Sequence, residues 1–383
     1  MEILPLCFKF WTICSLWRPV RYYSSVSKFF YDSYSCVTVL VLFSFTLLEF
    51  VDIALNFGNV DDFTSNAFLF LTMIGVCYKV AHTFMKRLQI ICIRDMLYDE
   101  ICRPENMEEQ RILDNCANAC RSNTVNLGII IMSSIVFFLV GPLLHDVNDR
   151  VLPFRAWLPY SLSSLPVFYL TYLHQSLAII SAGLVSVASD TFISGLMIQA
   201  CGQLDILKCR LANLHESHNF EMAINDTFHR EETILKMCIR HHNHIFKFAA
   251  LVEKTFNHVV LFQCFISAFV VCTTTLTLLN HQLLSIEFIT IIVYFLSIVF
   301  QLLVYCWYGN EVILKSIEVT DAVFEMDWIR LPALMKKDLI MIMMRAERAI
   351  KFTSGYVLTL SLDSYVAILK LSYTTFNVLQ RSS

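Results

Sequence analysis

Charge is the scarcest commodity in this sequence. Only 16% of its 383 residues are Asp, Glu, Lys or Arg, against roughly 25% in a soluble domain. Hydrophobic residues make up 56%, and the mean hydropathy is +0.59. Length alone suggests two or three soluble domains, but no water-soluble core accommodates so much apolar surface. Catalytic constellations are also missing: there is no Ser-His-Asp arrangement, no Gly-rich phosphate loop and no zinc-protease helix. The near-neutral net charge of -3 gives no reason to expect a nucleic-acid partner. The 14 cysteines lack framework spacing, and most lie in apolar runs or in segments assigned to the cytosol. There thiols stay reduced and behave as small hydrophobes, so no structural disulfide is expected. Cys116 and Cys120, one helical turn apart with Cys92 and Cys102 upstream, read as apolar positions of a cytosolic helix rather than as a zinc site.

The first 17 residues resemble a signal peptide only superficially, because Lys9 interrupts the apolar stretch and no small-residue cleavage site follows. They read as an interfacial helix that stays attached.

What is present is a series of runs long enough to cross a bilayer, which takes about 20 apolar residues. Six are nearly free of charge: 33–56, 63–85, 122–144, 156–189, 255–285 and 288–310. The fourth is long enough to run beyond the bilayer. A seventh, 358–380, carries Asp363 and Lys370, and charges in mid-span face protein or water rather than lipid. Of the 29 basic residues, 24 fall in the segments 1–33, 86–124, 201–254 and 311–357. The positive-inside rule then puts the N-terminus in the cytosol and the C-terminus outside. This is the reverse of a G-protein-coupled receptor, and the arginine-centred triplet and the Asn-Pro motif of that class are absent. A transporter would show internal repeats or broken spans, and neither is seen.

The expected fold is therefore an all-α membrane protein of seven transmembrane helices. Residues 1–30 form the N-terminal helix, and 31–310 hold spans one to six with cytosolic helical extensions. Residues 311–357 form a cytosolic amphipathic segment, and 358–383 hold the last span and an extracellular end. Leu204, Leu207, Leu211 and Leu214 recur at helical spacing, as do Leu334, Leu339, Ile342, Met343, Ala346 and Ile350. Such faces suit subunit packing. His241, His242 and His244 lack a carboxylate or thiolate to complete a metal site and read as a solvated or interface face. The polar, proline-marked loop near 145–165, with His145, Asp146, Asn148, Asp149 and Arg150, is placed to cover an outer pocket.

The last third carries recognisable text. Tyr305-Cys-Trp-Tyr-Gly-Asn-Glu, then Ser316, Ala322, Trp328 and Leu331-Pro332, resembles the end of span six and the following gap of insect odorant receptors. Arg345-Ala-Glu-Arg-Ala-Ile-Lys with Ser361-Leu, and Lys370-Leu-Ser-Tyr-Thr-Thr-Phe-Asn-Val-Leu-Gln at the end, resemble that family's entry to span seven and its last helix. Gustatory receptors share the layout and are the alternative. They end on a Thr-Tyr pair, five residues and Gln-Phe, whereas here Ser372-Tyr373 is followed by six residues and Gln380-Arg381.

The resemblance implies an odorant-gated, nonselective cation channel in the plasma membrane of olfactory sensory neurons, with no enzymatic activity and no cofactor. Its partners would be membrane lipid, a small volatile ligand and a shared co-receptor subunit in a heterotetramer. The co-receptor is longer through an insertion in the second cytosolic gap, which this chain lacks, so the chain reads as a tuning subunit. The family's pocket lies in the outer half of the bundle, where Phe70, Met73, Ile74, Ser134, Phe137, Phe138, Tyr169, Tyr172, Tyr294 and Phe295 are the candidates. Its seventh helix lines the pore, which places Phe376, Leu379 and Gln380 at the gate. Lys370 faces either that pore, where four copies would repel cations, or a neighbouring helix.

Overall fold

The computed structural model describes residues 4–18, 25–56, 60–144, 151–214, 224–280 and 285–382. It is a mostly helical bundle. Helices α1 (Pro5–Ile13), α2 (Ser25–Leu55), α3 (Val60–Met85) and α4 (Arg87–Leu97) are followed by a single 3-10 turn (Glu100–Cys102). Then come α5 (Met107–Val140), α6 (Leu165–Ala212), α7 (Ile224–Asn280), α8 (Ile286–Glu325), α9 (Ala333–Ala346) and α10 (Leu362–Ser382). Among the described residues, α2, α3, α5, α6, α7 and α8 are long and apolar enough to cross a membrane. The 21-residue α10, with Asp363 and Lys370, falls outside that set of six and is the candidate for a seventh span.

Three helices outrun any bilayer. At 1.5 Å per residue, the 48 residues of α6 span roughly 72 Å and the 57 of α7 roughly 85 Å, against a hydrocarbon core of about 30 Å. The 40 residues of α8 likewise continue past its span. The extensions gather at the end of the bundle that bears the basic gaps, and there they pair. Lys208 lies 2.6 Å from Glu318, and Lys315 lies 2.5 Å from Asp205, both across α6 and α8. The Arg345 guanidinium of α9 sits 4.0 Å over the Phe246 ring of α7. Of the apolar face of α9, Leu339, Ile342 and Ala346 are buried, while Leu334 is exposed.

Helix α6 is the axis of the molecule. It is apolar on all faces along its middle, and such a helix belongs inside. From Val185 to Leu204 every residue is buried. Helix α1 packs onto it with Trp11 donating to Ser189 Oγ at 3.3 Å and Cys7 3.3 Å from Thr191 Oγ1, so the buried face of α1 lies on protein. Gly195 admits this docking, since a Cβ there would stand 2.5 Å from Leu4.

Of the two readings of the histidines, a solvated or an interface face, the structure excludes the solvated one for His241 and His242. His241 and His242 are buried, and only His244 keeps partial exposure. Arg210 of α6 donates to both carboxylate oxygens of Glu109, at 3.1 and 2.9 Å, and to the carbonyls of Ile101 and Arg103. His241 Nδ1 faces the same guanidinium at 3.4 Å while Nε2 donates to Gln203 Oε1 at 2.8 Å. Burial, then the neighbouring Arg210 charge, pushes His241 down to about 3, so it is a neutral strut of this corner.

A two-stranded hairpin, β1 (Thr353–Ser354) and β2 (Leu358–Thr359), joins α9 to α10. It has no period-2 apolar run long enough to announce it. It turns through Gly355 and Tyr356, both with positive φ, and is held by Asn257 Oδ1, which accepts from Gly355 N. Two residues of the recognisable segment find their reason here. A Cβ on Gly309 would stand 2.5 Å from Leu360 O, and Ser316 Oγ accepts from Ile350 N at 3.0 Å.

Candidate ligand cavity and its polar floor

A cavity of about 60 Å³ lies between α3, α5, α6 and α8. It is built from one repeated spacing. Ile131, Ser134, Ile135 and Phe138 on α5, Ile179, Ala182, Gly183 and Ser186 on α6, and Tyr294, Ser297, Ile298 and Gln301 on α8 all stand at i, i+3, i+4, i+7. That spacing puts each set on one helical face. Leu69, Thr72 and Val76 of α3 complete the wall. Small residues on α6 make the room, because any larger side chain at Gly183 would collide with Ile135.

The roof is aromatic. Phe138, Phe68 and Tyr294 pack on one another with ring centroids 5.3–6.2 Å apart. Phe154, from the segment before α6, lies 5.4 Å from Phe138 and 6.0 Å from Phe45. Gln175 clamps Phe154 at both backbone groups, accepting from its N–H at 3.2 Å and donating to its carbonyl at 3.0 Å. Trp157 N–H donates to Leu48 O, and Arg155 pairs with Asp52. The described part of the loop is thus tied down over the cavity. His145, Asp146, Asn148, Asp149 and Arg150 lie outside the described residues.

The polar groups are few and mostly engaged. Thr72 and Tyr294 share a hydrogen bond at 2.5 Å, and Ser297 and Ser134 donate to carbonyls of their own helices. Ser186 Oγ makes no hydrogen bond among the described residues and is the free hydroxyl of the wall.

Beneath the cavity lies a network joining four helices. Gln301, which lines the cavity, donates to Asp190 Oδ2. Lys79 Nζ lies 2.6 Å from Asp190 Oδ1, which also accepts from Tyr305 OH at 2.6 Å. Gln263 of α7 donates to Gln301 Oε1 at 3.2 Å and to Ser267 Oγ at 3.1 Å. In sequence Lys79 and Asp190 are isolated charges in two different spans, and only the packing of α3 against α6 makes them a pair.

The structure places the sequence candidates unevenly. Ser134, Phe138 and Tyr294 line the cavity. Met73 is buried beside it, and Phe295 packs on the core. Phe70 stacks on Phe50, Ile74 is half-buried, and Tyr172 donates to Leu139 O. Phe137 and Tyr169 are exposed. The α6 residues Ile179, Ala182, Gly183 and Ser186 were not among the candidates. Their signal was the small residues Ala182, Gly183 and Ser186 on one helical face with Ile179, hidden because that helix is apolar all round. On α10, Phe376 is buried on the face, shared with Ile368 and Ser372, that packs against α7, and Ser372 Oγ donates to Ala268 O. Lys370 and Tyr373 are exposed on the other side. The side chains of Leu379 and Gln380 lie outside the described residues.

A family model described as 7tm Odorant receptor matches residues 59–373. Odorant receptor 13a of Drosophila melanogaster is 26% identical over 290 residues, 70% of this chain and 68% of that one. Odorant receptor Or2 of Anopheles gambiae is 23% identical over 355 residues, 90% of each chain. The solved structure of the insect olfactory receptor OR5 from Machilis hrabei, in complex with eugenol, superposes with a TM-score of 0.87 at 16% identity, covering 99% of this chain and 98% of that one.

Proposed function

This chain belongs to the odorant receptor family and is a multi-pass membrane protein, and from that premise we propose that it is a tuning subunit. It takes a small volatile into the cavity between α3, α5, α6 and α8. With a shared co-receptor it forms a heterotetrameric, nonselective cation channel in the plasma membrane of olfactory neurons. The observation that carries this reading is the cavity: bordered by the aromatics Phe138 and Tyr294, apolar on most of its wall, with one unengaged hydroxyl at Ser186. Apolar walls with a few placed polar groups are the chemistry of small-molecule sites. The OR5 relative was solved with eugenol, a small aromatic odorant, which fits the same class of ligand.

The volume also says how binding acts. A space of about 60 Å³ holds far less than the roughly 300–1,000 Å³ of a drug-sized site. An odorant enters only if Phe138 and the roof move, so it binds the expanded arrangement better than the closed one. That differential affinity is what shifts a conformational equilibrium. Gln301 carries the change to Asp190, and Tyr305 and Asp190 reach the part of α8 that Leu360 and α10 pack upon.

The test is current evoked by an odorant panel in cells expressing the chain with a co-receptor. Phe138→Ala and Tyr294→Phe are expected to reorder the panel at constant surface expression. Ser186→Ala is expected to weaken odorants bearing a hydroxyl or carbonyl by roughly fivefold, the worth of about 1 kcal/mol for one hydrogen bond, and to spare hydrocarbons. An unchanged order across all three variants removes this cavity from odorant choice.

A further inference from the structure

A second, roomier cavity lies elsewhere among the described residues. It measures about 590 Å³ and lies at the basic end, between α1, the turn after α4, α5 and α6. Its interior is apolar, from Leu4, Leu97, Leu113 and Ala117, and Arg103 and Arg121 stand on its wall. Both arginines are exposed, and among the described residues neither has a carboxylate within 4.0 Å. Acids are present nearby, but Glu109 and Glu105 lie on the neighbouring Arg210 and Glu108 on Cys209. The corner pairs one arginine and leaves two.

We propose that this cavity is a binding site for an anionic membrane lipid, with one acyl chain in the apolar interior and the headgroup phosphate on Arg103 and Arg121. Depth supports a lipid over a soluble anion. Arg121 immediately precedes Ser122–Leu144, which contains no Asp, Glu, Lys or Arg, so it stands where α5 leaves the hydrocarbon. Leu113, Ala117, Cys120, Arg121 and Thr124 form one face of α5 that crosses this boundary along the cavity. Size agrees, since 590 Å³ falls inside the roughly 300–1,000 Å³ of small-molecule sites. Basic pockets between membrane helices are the usual seats of anionic headgroups. The wall is rigid, because Arg210 ties the carbonyls of Ile101 and Arg103 to α6. Gln199 of α6 adds an amide to the wall, its nitrogen donating to Cys120 Sγ at a long 4.0 Å, within reach of a glycerol ester. With the orientation proposed above, this end faces the cytosolic leaflet, where anionic lipids concentrate. Helix α1 forms one side, so an occupied site braces the N-terminal helix against α5 and α6.

The experiment uses the full chain reconstituted in phosphatidylcholine vesicles with a trace of phosphatidylserine or phosphatidylcholine carrying a diazirine in the acyl chain. Labelled peptides are mapped by mass spectrometry after illumination. The phosphatidylserine probe is expected to label the α5 peptide around Ala117–Thr124 and to be displaced by unlabelled phosphatidylserine. Arg103→Gln and Arg121→Gln are each expected to cut that labelling roughly fivefold. Ala117→Trp, which fills the cavity and keeps both charges, is expected to abolish it, and serves should the arginine variants fail to fold. Equal labelling by the phosphatidylcholine probe, or labelling unmoved by the arginine variants, overturns the anionic site. Displacement by soluble glycerophosphoserine as effective as by the lipid overturns the acyl-chain assignment. Odorant-evoked current reads the other cavity, so its loss or retention leaves the two conclusions separate.

Discussion

Asp190 accepts from Lys79, Tyr305 and Gln301, and that satisfaction is what lets a carboxylate sit at the centre of the bundle. Removing one partner strands the other charge, at a cost of about 3–5 kcal/mol. Asp190→Ala is therefore expected to lower the melting temperature and the surface yield sharply. Lys79→Met with Asp190→Leu is expected to recover much of both, because no lone charge remains. Thermal-shift assays and surface biotinylation measure this, and a double variant as poor as the single one would mean that shape, not charge, holds the site. His241 behaves in the opposite sense to a titrating switch. Its ordinary value is 6.5 and burial with Arg210 lowers it to about 3. Between those values the unfolded chain binds a proton that the folded chain refuses. Stability is thus intact above 6.5 and lost as pH falls toward 3, by at most roughly 1.4 kcal/mol per pH unit. His241→Gln keeps a donor for Gln203 and an acceptor for Arg210. It is expected to flatten the fall of melting temperature below pH 6.5, leaving the part due to His242, which burial and then Arg345 push down to about 4.

At the scale of elements, α10 has two unlike faces. Ile368, Ser372 and Phe376 are buried within the chain, while Val366, Lys370, Leu371 and Tyr373 are uncovered. A helix 21 residues long with a bare face of this kind needs a neighbour or a pore, which fits the proposed channel. Apolar rings close pores by dewetting, and Phe376, on the buried face, stacks on the exposed Tyr373 at 6.2 Å. With the co-receptor present, Phe376→Ala is expected to raise resting current or alter cation selectivity while odorant ranking holds. Reduced surface expression with an unaltered leak assigns Phe376 to the α7–α10 contact alone. The helices themselves were legible because composition marks their middles. Their ends were not: α5 begins at Met107, capped by Asn106 Oδ1 accepting from Glu109 N at 2.7 Å, well before its uncharged stretch. Helical propensity and a cap decide where a helix starts, whereas charge depletion reports only where lipid does.

For the whole molecule, the asymmetry of charge is the main architectural statement. The extensions of α6, α7 and α8 pair with one another and with α9 at the basic end. An antibody to a C-terminal tag is expected to bind intact cells and one to an N-terminal tag only permeabilised cells. Asn225, in a glycosylation pattern Asn-Asp-Thr, is expected to carry no glycan, and a mobility shift on glycosidase treatment would reverse the map.

By itself the sequence determined the number of membrane helices, the clustering of basic charge at one end and, through the segment from Tyr305 onward, the family. These are properties of runs and counts, which survive any arrangement of the helices. Three candidate residues of the cavity, Ser134, Phe138 and Tyr294, were readable because polar or aromatic side chains stand out in an apolar span. Only the tertiary structure decided that Lys79 and Asp190 are partners 111 residues apart, that His241 is dry, and that Ala182, Gly183 and Ser186 open the space. Each of those facts depends on which helix faces which. On α6, apolar on every side, no periodic signal in the chain records that choice.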